Sequence, residues 1–228
     1  MNMKKKVKPK EKLLSSIWDK KAQVKIDLGC LGNRHPDFIG VDVRDGNDVD
    51  IVCNLSKFPW KELPDGIADL VMSSHLNEHI DSSPSNPQLA GLLDLLLEKK
   101  LITRKEVEKY VGEYRFTGGF IRFMNEVWRI TKPGGKFMCS HPFAPSKFYV
   151  QDPTHINMIN ERTYAYFDPL CKEPNSGQLY HLYEIYRPMP WKVISVNYQL
   201  NGFMEVLLQR REIDPSYNVA SMDGLNTL

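Results

Sequence analysis

No apolar run in this 228-residue chain approaches the length of a membrane-crossing helix, which needs about 20 consecutive apolar residues. No apolar stretch follows the lysine-rich start (Lys4, Lys5, Lys6, Lys8, Lys10, Lys12) in the manner of a secretory signal, so a cytoplasmic protein without a membrane partner is expected. Cysteine is scarce and spread out, at Cys30, Cys53, Cys139 and Cys171. Three of these lie in or beside apolar runs, which favours reduced, buried thiols over a disulfide framework. There is no C-x-x-C pair to suggest zinc, and no metal is expected. The chain also lacks G-x-G-x-x-G, which argues against dinucleotide dehydrogenases, and H-L-N-E-H at 75–79 is not the H-E-x-x-H of zinc proteases. A net charge of +2 does not by itself mark a nucleic-acid binder. No internal repeat or second domain is visible.

What is present suits one α/β domain. Hydrophobic residues make up 42% and charged residues 25% of the chain, an ordinary globular composition, and the length allows a substantial core. The most informative stretch is Lys25 to Val43, KIDLGCLGNRHPDFIGVDV. An apolar run from Val24 ends at Asp27-Leu28-Gly29. A polar loop with Gly29 and Gly32 follows. A second apolar run, Phe38 to Val43, carries Asp42 near its end. Short apolar runs bounded by turn residues are the pattern of buried parallel strands. The segment therefore predicts strand, ligand-holding turn, short helix and strand. In open α/β sheets, ligands sit beyond the carboxyl ends of the strands. An ionised carboxylate at Asp42 offers two acceptor oxygens to the two hydroxyls of a ribose.

Further strands are expected at Asp50 to Cys53, before Asn54-Leu55, and at Ala68 to Ser73, before Ser74-His75-Leu76-Asn77-Glu78-His79. A turn-rich link, Phe58 to Gly66, joins them. Residues 81–118 are long for a strand-to-helix connection. Leu89, Leu92, Leu93 and Leu96 have helical spacing, and Thr103-x-x-Glu106 is a capping-box pattern, so a two-helix insertion is predicted. Its Lys99, Lys100, Arg104, Lys105 and Lys109 read either as an anion-holding surface or as a solvated helix face. Phe120, Phe123, Met124, Val127 and Trp128 form the buried stripe of the next helix. Lys132-Pro133-Gly134-Gly135-Lys136 stops that helix and starts a strand at Phe137 to His141. Tyr180, His181, Tyr183 and Tyr186 mark a polar segment that either stacks a planar ligand or packs on the sheet edge. Trp191 to Leu200 and Phe203 to Arg211 flank Asn201-Gly202, a strong hairpin signal.

Taken together these stretches resemble the class I S-adenosylmethionine (SAM) dependent methyltransferases over roughly residues 22 to 211. The Asp27-Leu28-Gly29-Cys30 turn and the Val41-Asp42 strand end resemble the first motif and second strand of that family. Ser74 to His79 is similar to its S-H-V-L-E-H element. The phrase from Glu126 to Phe137, E-V-W-R-I-T-K-P-G-G-K-F, is similar to its helix–turn–strand five element. The resemblance implies an α/β, Rossmann-like class I methyltransferase fold: a seven-stranded mixed sheet with an antiparallel C-terminal hairpin and a helical insertion after strand four. It implies SAM as cofactor, S-adenosylhomocysteine as product, and cofactor contacts at Asp27, Gly29, Cys30, Asp42, Val43, Asn54, Leu55, Ser74 and His75. Three positions depart from the family pattern: Leu31 stands in place of glycine, Asn54 of aspartate and Asn77 of leucine.

Gln151-Asp152-Pro153-Thr154-His155 resembles a D-P-T-H element of uncharacterised methyltransferase-like proteins. His155 is the general-base candidate, with an unperturbed pKa near ~6.5. Asp152 is placed to orient it, and His79 is a third catalytic candidate. The bland alternatives are that Asp152 and Thr154 start a helix and that Glu78 and His79 cap one. The expected organisation is a basic arm and capping helix at 1–22 (Leu13, Leu14, Ile17, Trp18), a methyltransferase-like domain at 23–211 and a tail at 212–228. Two functions follow: methyl transfer to a small-molecule or macromolecular acceptor that the sequence does not name, or a non-catalytic SAM-binding or partner-binding module. Nucleic acid as acceptor is supported by the basic arm alone, since neither N-P-P-[YF] nor a catalytic P-C motif is found.

Overall fold

The computed structural model describes residues 23–80, 92, 95–103, 105–106, 119–173, 175–179, 183 and 188–212. The basic arm, most of the 81–118 insertion, Tyr180, His181, Tyr186 and the tail from 213 lie outside the described residues. One sheet organises the rest. Its strands are β1 (Lys25–Leu28), β2 (Ile39–Asp42), β3 (Ile51–Val52), β4 (Ala68–Ser74), β5 (Thr131–Pro142), β6 (Trp191–Tyr198) and β7 (Phe203–Arg210). They lie in the order β3-β2-β1-β4-β5-β7-β6. The first five are parallel, and β7 runs antiparallel to both β5 and β6. This seven-stranded mixed sheet with its C-terminal hairpin is the class I methyltransferase fold that the sequence implied. The order reverses between β1 and β4, so the ends of those strands form the switch point where α/β sheets hold ligands.

The helix Gly119–Ile130 (α1) buries Phe120, Phe123, Met124, Val127 and Trp128 as a single stripe, as their i, i+3, i+4, i+7 spacing requires. Trp60 meets Phe123 edge-on at 5.6 Å, and Trp60 N donates to Glu126 Oε2 at 2.8 Å. Arg129 fastens the same link by donating to the carbonyls of Trp60 and Leu63. The Thr103–Glu106 capping box is formed, with Glu106 N donating to Thr103 Oγ1 and Thr103 N donating to Glu106 Oε2. Two short helices follow β5: Lys147–Val150 (α2) and Glu161–Ala165 (α3), the latter capped by Asn160. Among the described residues no helix is long and apolar enough to cross a membrane.

Four local expectations are corrected. Residues 29–38 form turns and no short helix, because Gly29, Leu31, Gly32 and Asp37 all take positive φ and Pro36 interrupts the run. Pairing of β5 begins at Thr131, before the glycine pair. Thr131 to Lys136 faces Ala68 to Leu70, so the intervening residues bulge outward. Gly135 is obligatory there, since a Cβ would lie 2.8 Å from Thr131 Cγ2 and 2.9 Å from the Lys132 carbonyl oxygen. The hairpin turn is also one residue longer than the Asn-Gly pair. Gly202 N donates to the Gln199 carbonyl, Gln199 N to the Phe203 carbonyl, and only Gly202 has positive φ, as in a type I turn closed by a glycine bulge. Lastly, no helix starts at Asp152 or Thr154; the next one begins at Glu161.

Candidate functional site

The turn after β1 is folded onto the end of β2. Gly29 N donates to the Val41 carbonyl at 2.8 Å, and Leu31 N donates to Asp42 Oδ2 at 2.9 Å. Asp42 is only 3% exposed, and its Oδ1 accepts from Arg44 N at 2.9 Å. Each carboxylate oxygen therefore has one backbone donor and keeps acceptor capacity for a second partner. The Arg44 guanidinium lies 3.7 Å from Oδ1 and is largely in solvent. Asp27, also buried, accepts from His35 N at 3.0 Å and so closes the far side of the loop. Burial raises its pKa, and the His35 amide works against that rise. The Cys30 thiol is buried, donates to the Asp48 carbonyl, and is pushed up in pKa by burial.

Leu31 takes φ of 51°, the conformation glycine adopts without strain, and its side chain is 63% exposed. The departure from glycine therefore leaves the backbone path intact and turns the side chain outward. Val43 is exposed at the end of β2. Asn54 is exposed and accepts from Ser56 N at 3.0 Å, an Asx turn, while Leu55 is buried beneath it. Ser74 ends β4 opposite Ser140. His75 follows at φ of 53°, half exposed and edge-on to Phe203 at 5.1 Å. The Glu78 carboxylate, 3.3 Å from His75 Nδ1, raises the His75 pKa.

Asn77 does not face the ligand edge. It is 1% exposed and belongs to a buried polar network. Ser73 Oγ donates to Asn77 Oδ1 at 3.0 Å, and Asn77 Nδ2 donates to the Tyr164 hydroxyl at 2.9 Å. That hydroxyl also meets His141 Nε2 at 2.8 Å and Cys139 Sγ at 3.1 Å. His141 Nδ1 lies 3.0 Å from the Pro142 carbonyl, which can only accept, so Nδ1 carries the proton and Tyr164 donates to Nε2. The network anchors the 3-10 turn Asn77–His79.

The three acid–base candidates come together beyond that turn. The His79 and His155 rings lie 4.8 Å apart, and His155 Nε2 is 3.6 Å from Asp152 Oδ2. Thr154 holds the other Asp152 oxygen through its amide at 2.8 Å and its hydroxyl at 2.6 Å, and these bonds lower the Asp152 pKa. Glu78 completes the group: it is fully buried and lies 4.0 Å from His155 Nε2. Sequence reasoning singled out Glu78 without placing it opposite His155. It missed Tyr149, whose carbonyl takes His155 Nδ1 at 3.0 Å. It also missed the Tyr164 network, whose one visible signal was Cys139 and His141 sharing a strand face two residues apart.

No protein-family model matches the chain, and no curated protein matches it in sequence. The solved structures it resembles include several named as methyltransferases, SAM-dependent ones among them. One, a SAM dependent methyltransferase from Archaeoglobus fulgidus, is 16% identical, with 88% of this chain and 92% of that chain covered and a TM-score of 0.41. The 16S rRNA (adenine(1408)-N(1))-methyltransferase of Catenulisporales acidiphilia is 12% identical over 89% of this chain and 92% of that chain, at TM-score 0.44. The 1,6-didemethyltoxoflavin-N1-methyltransferase of Burkholderia thailandensis, bound to S-adenosylhomocysteine, is 9% identical over 90% and 78%, at TM-score 0.42. It is the strand order, not these scores, that defines the fold.

Proposed function

We propose that this chain is a SAM-dependent methyltransferase acting on an acceptor held beside β4. The observation that carries the reading is the convergence of the Gly29 turn, Asp42, Asn54 and Ser74 on the carboxyl edge of a sheet with the class I order. A cofactor with a ribose fits there. Asp42 keeps free acceptor capacity, and Gly29 has φ of 74° with Leu76 side-chain atoms 3.2 Å from where a Cβ would stand. Glycine at this position serves the turn's positive φ and the packing of Leu76 against it.

Asp27, Gly29, Cys30, Asp42, Val43, Asn54, Leu55, Ser74 and His75 are the residues we assign to holding SAM. When bound, SAM supplies a methyl group on a sulfonium, already a good leaving group. The protein's task is then mainly alignment of acceptor and methyl carbon, which is catalysis by proximity. His155, His79 and Asp152 supply the acid–base groups that a weak nucleophile requires. The His155 side chain is 7% exposed and faces two carboxylates, those of Glu78 and Asp152.

A second reading, a non-catalytic module on the same fold, is favoured by one observation: each Asp42 oxygen already holds a backbone amide, Leu31 N of the folded-over loop and Arg44 N just past β2. Thermal melting with S-adenosylhomocysteine separates a SAM-binding chain from a partner-binding module without a cofactor. A ligand at 100 times its Kd raises stability by about 2.7 kcal/mol, a shift of several degrees. A melting temperature unchanged at millimolar ligand, with adenosine as control, would leave the binding-module reading in front.

A further inference from the structure

We propose that Glu78, His79 and His155 form a binding site for a first-row divalent transition-metal ion. The proposal stands on the donor set and does not depend on SAM binding; with the ion bound, His79, His155 and Asp152 are its ligands and no longer free acid–base groups. Among the described residues, the ligand atoms of these three side chains all lie within 4.8 Å of one another. Glu78 provides the second and independent observation. It is 0% exposed, and neither carboxylate oxygen makes a hydrogen bond of normal geometry, although His75 Nδ1 stands 3.3 Å from Oε1. A buried carboxylate without hydrogen bonds is costly unless a cation stands beside it.

The two histidines are prepared as ligands. His79 Nδ1 lies 3.1 Å from the Thr154 carbonyl, and His155 Nδ1 lies 3.0 Å from the Tyr149 carbonyl. A carbonyl can only accept, so Nδ1 is the protonated nitrogen in each ring and Nε2 is the one left to face a ligand. Metal-binding histidines are held in this way, with the second ring nitrogen donating to a carbonyl or carboxylate. Asp152 Oδ2 lies 3.6 Å from His155 Nε2 while Thr154 occupies the other oxygen, which makes Asp152 the natural fourth ligand.

The ion class follows from the donors. Two imidazoles with carboxylate and no thiolate suit zinc, iron, cobalt or nickel, whereas magnesium and calcium prefer oxygen alone. Ligands on one zinc ion stand about 3.4 Å apart, given bonds of about 2.1 Å. The side chains therefore close in by roughly an ångström on binding.

The test uses the full chain, stripped with a chelator and dialysed. Cobalt(II) is titrated and followed by visible absorption, zinc(II) by calorimetry, and melting temperature is measured with and without zinc. One saturating equivalent is expected, with cobalt displaced by zinc and not by magnesium, and with a higher melting temperature in zinc. His79→Ala, whose ring is only partly buried, should weaken binding at least tenfold and abolish the thermal shift. His155→Ala and the isosteric Glu78→Gln should do the same, each checked for fold by circular dichroism. Cys171→Ser should bind as the parent does. Absence of a saturable equivalent, binding unaltered in His79→Ala, or a sulfur-to-cobalt charge-transfer band would overturn the proposal.

Discussion

Tyr164→Phe removes one oxygen from the centre of the buried network and should be among the most damaging conservative changes in the chain. The hydroxyl is fully buried, donates to His141 Nε2 and accepts from Asn77 Nδ2, with Cys139 Sγ as a third neighbour. Each neutral hydrogen bond contributes about 1 kcal/mol net, and a buried group left without its partner costs about 1–3 kcal/mol. With Asn77 and His141 both left short, the loss comes to about 3 kcal/mol. At an m-value of about 2 kcal/mol/M, the urea midpoint falls by about 1.5 M. Asn77→Leu places at that position the residue usual in the methyltransferase element it resembles. Alone it strands Ser73 Oγ and deprives Tyr164 of a donor, for about 2 kcal/mol. Combined with Tyr164→Phe, both ends of one bond become apolar, so the double variant should lose about 1–2 kcal/mol less than the sum of the singles. Urea denaturation of the four proteins measures the cycle. A Tyr164→Phe loss below about 0.5 kcal/mol, or strict additivity, would refute the network.

Three other outcomes are expected. Leu31→Gly should stabilise the fold by about 0.5–1 kcal/mol, because relief of about 1–2 kcal/mol of left-handed strain exceeds the entropy glycine adds to the unfolded chain; an unchanged or lower urea midpoint would contradict this. Burial holds the His141 pKa below its ordinary value, so the unfolded chain binds that proton more readily and stability falls as pH drops below about 6.5. Urea midpoints between pH 7.5 and 5.5 should decline, and decline less steeply in His141→Gln. Asp168 is buried and accepts from Arg211 Nε and Nη2 and from the amides of Leu170 and Val193. Asp168→Asn turns an acceptor into a donor against those N–H groups and should cost about 2–3 kcal/mol in thermal or urea melts.

The layout of the sheet was readable because its signals are local. The stripe at Phe120 to Trp128, the capping box at Thr103 and the alternation flanking Asn201-Gly202 each lie within one element. The missed helix between β1 and β2 shows the limit of that reading. Leu31 carries no mark of positive φ, and the bond that holds its amide comes from Asp42 at the end of the neighbouring strand. Asn77 was judged by its family position, yet its partner Tyr164 lies 87 residues away. Glu78 and His155 likewise meet only because the segment after α2 returns to the 3-10 turn, where Ile156 N and Asn157 N both donate to the Glu78 carbonyl. Spacing along the chain records none of this.

The most direct measurement is calorimetric titration of the purified chain with S-adenosylhomocysteine, beside an Asp42→Ala variant shown by circular dichroism to be folded. The account predicts saturable binding at a micromolar Kd in the parent chain and its loss in the variant, because Asp42 is assigned the ribose. Absence of heat up to millimolar ligand, or equal affinity in folded Asp42→Ala, would contradict the assignment of this strand edge as a cofactor site.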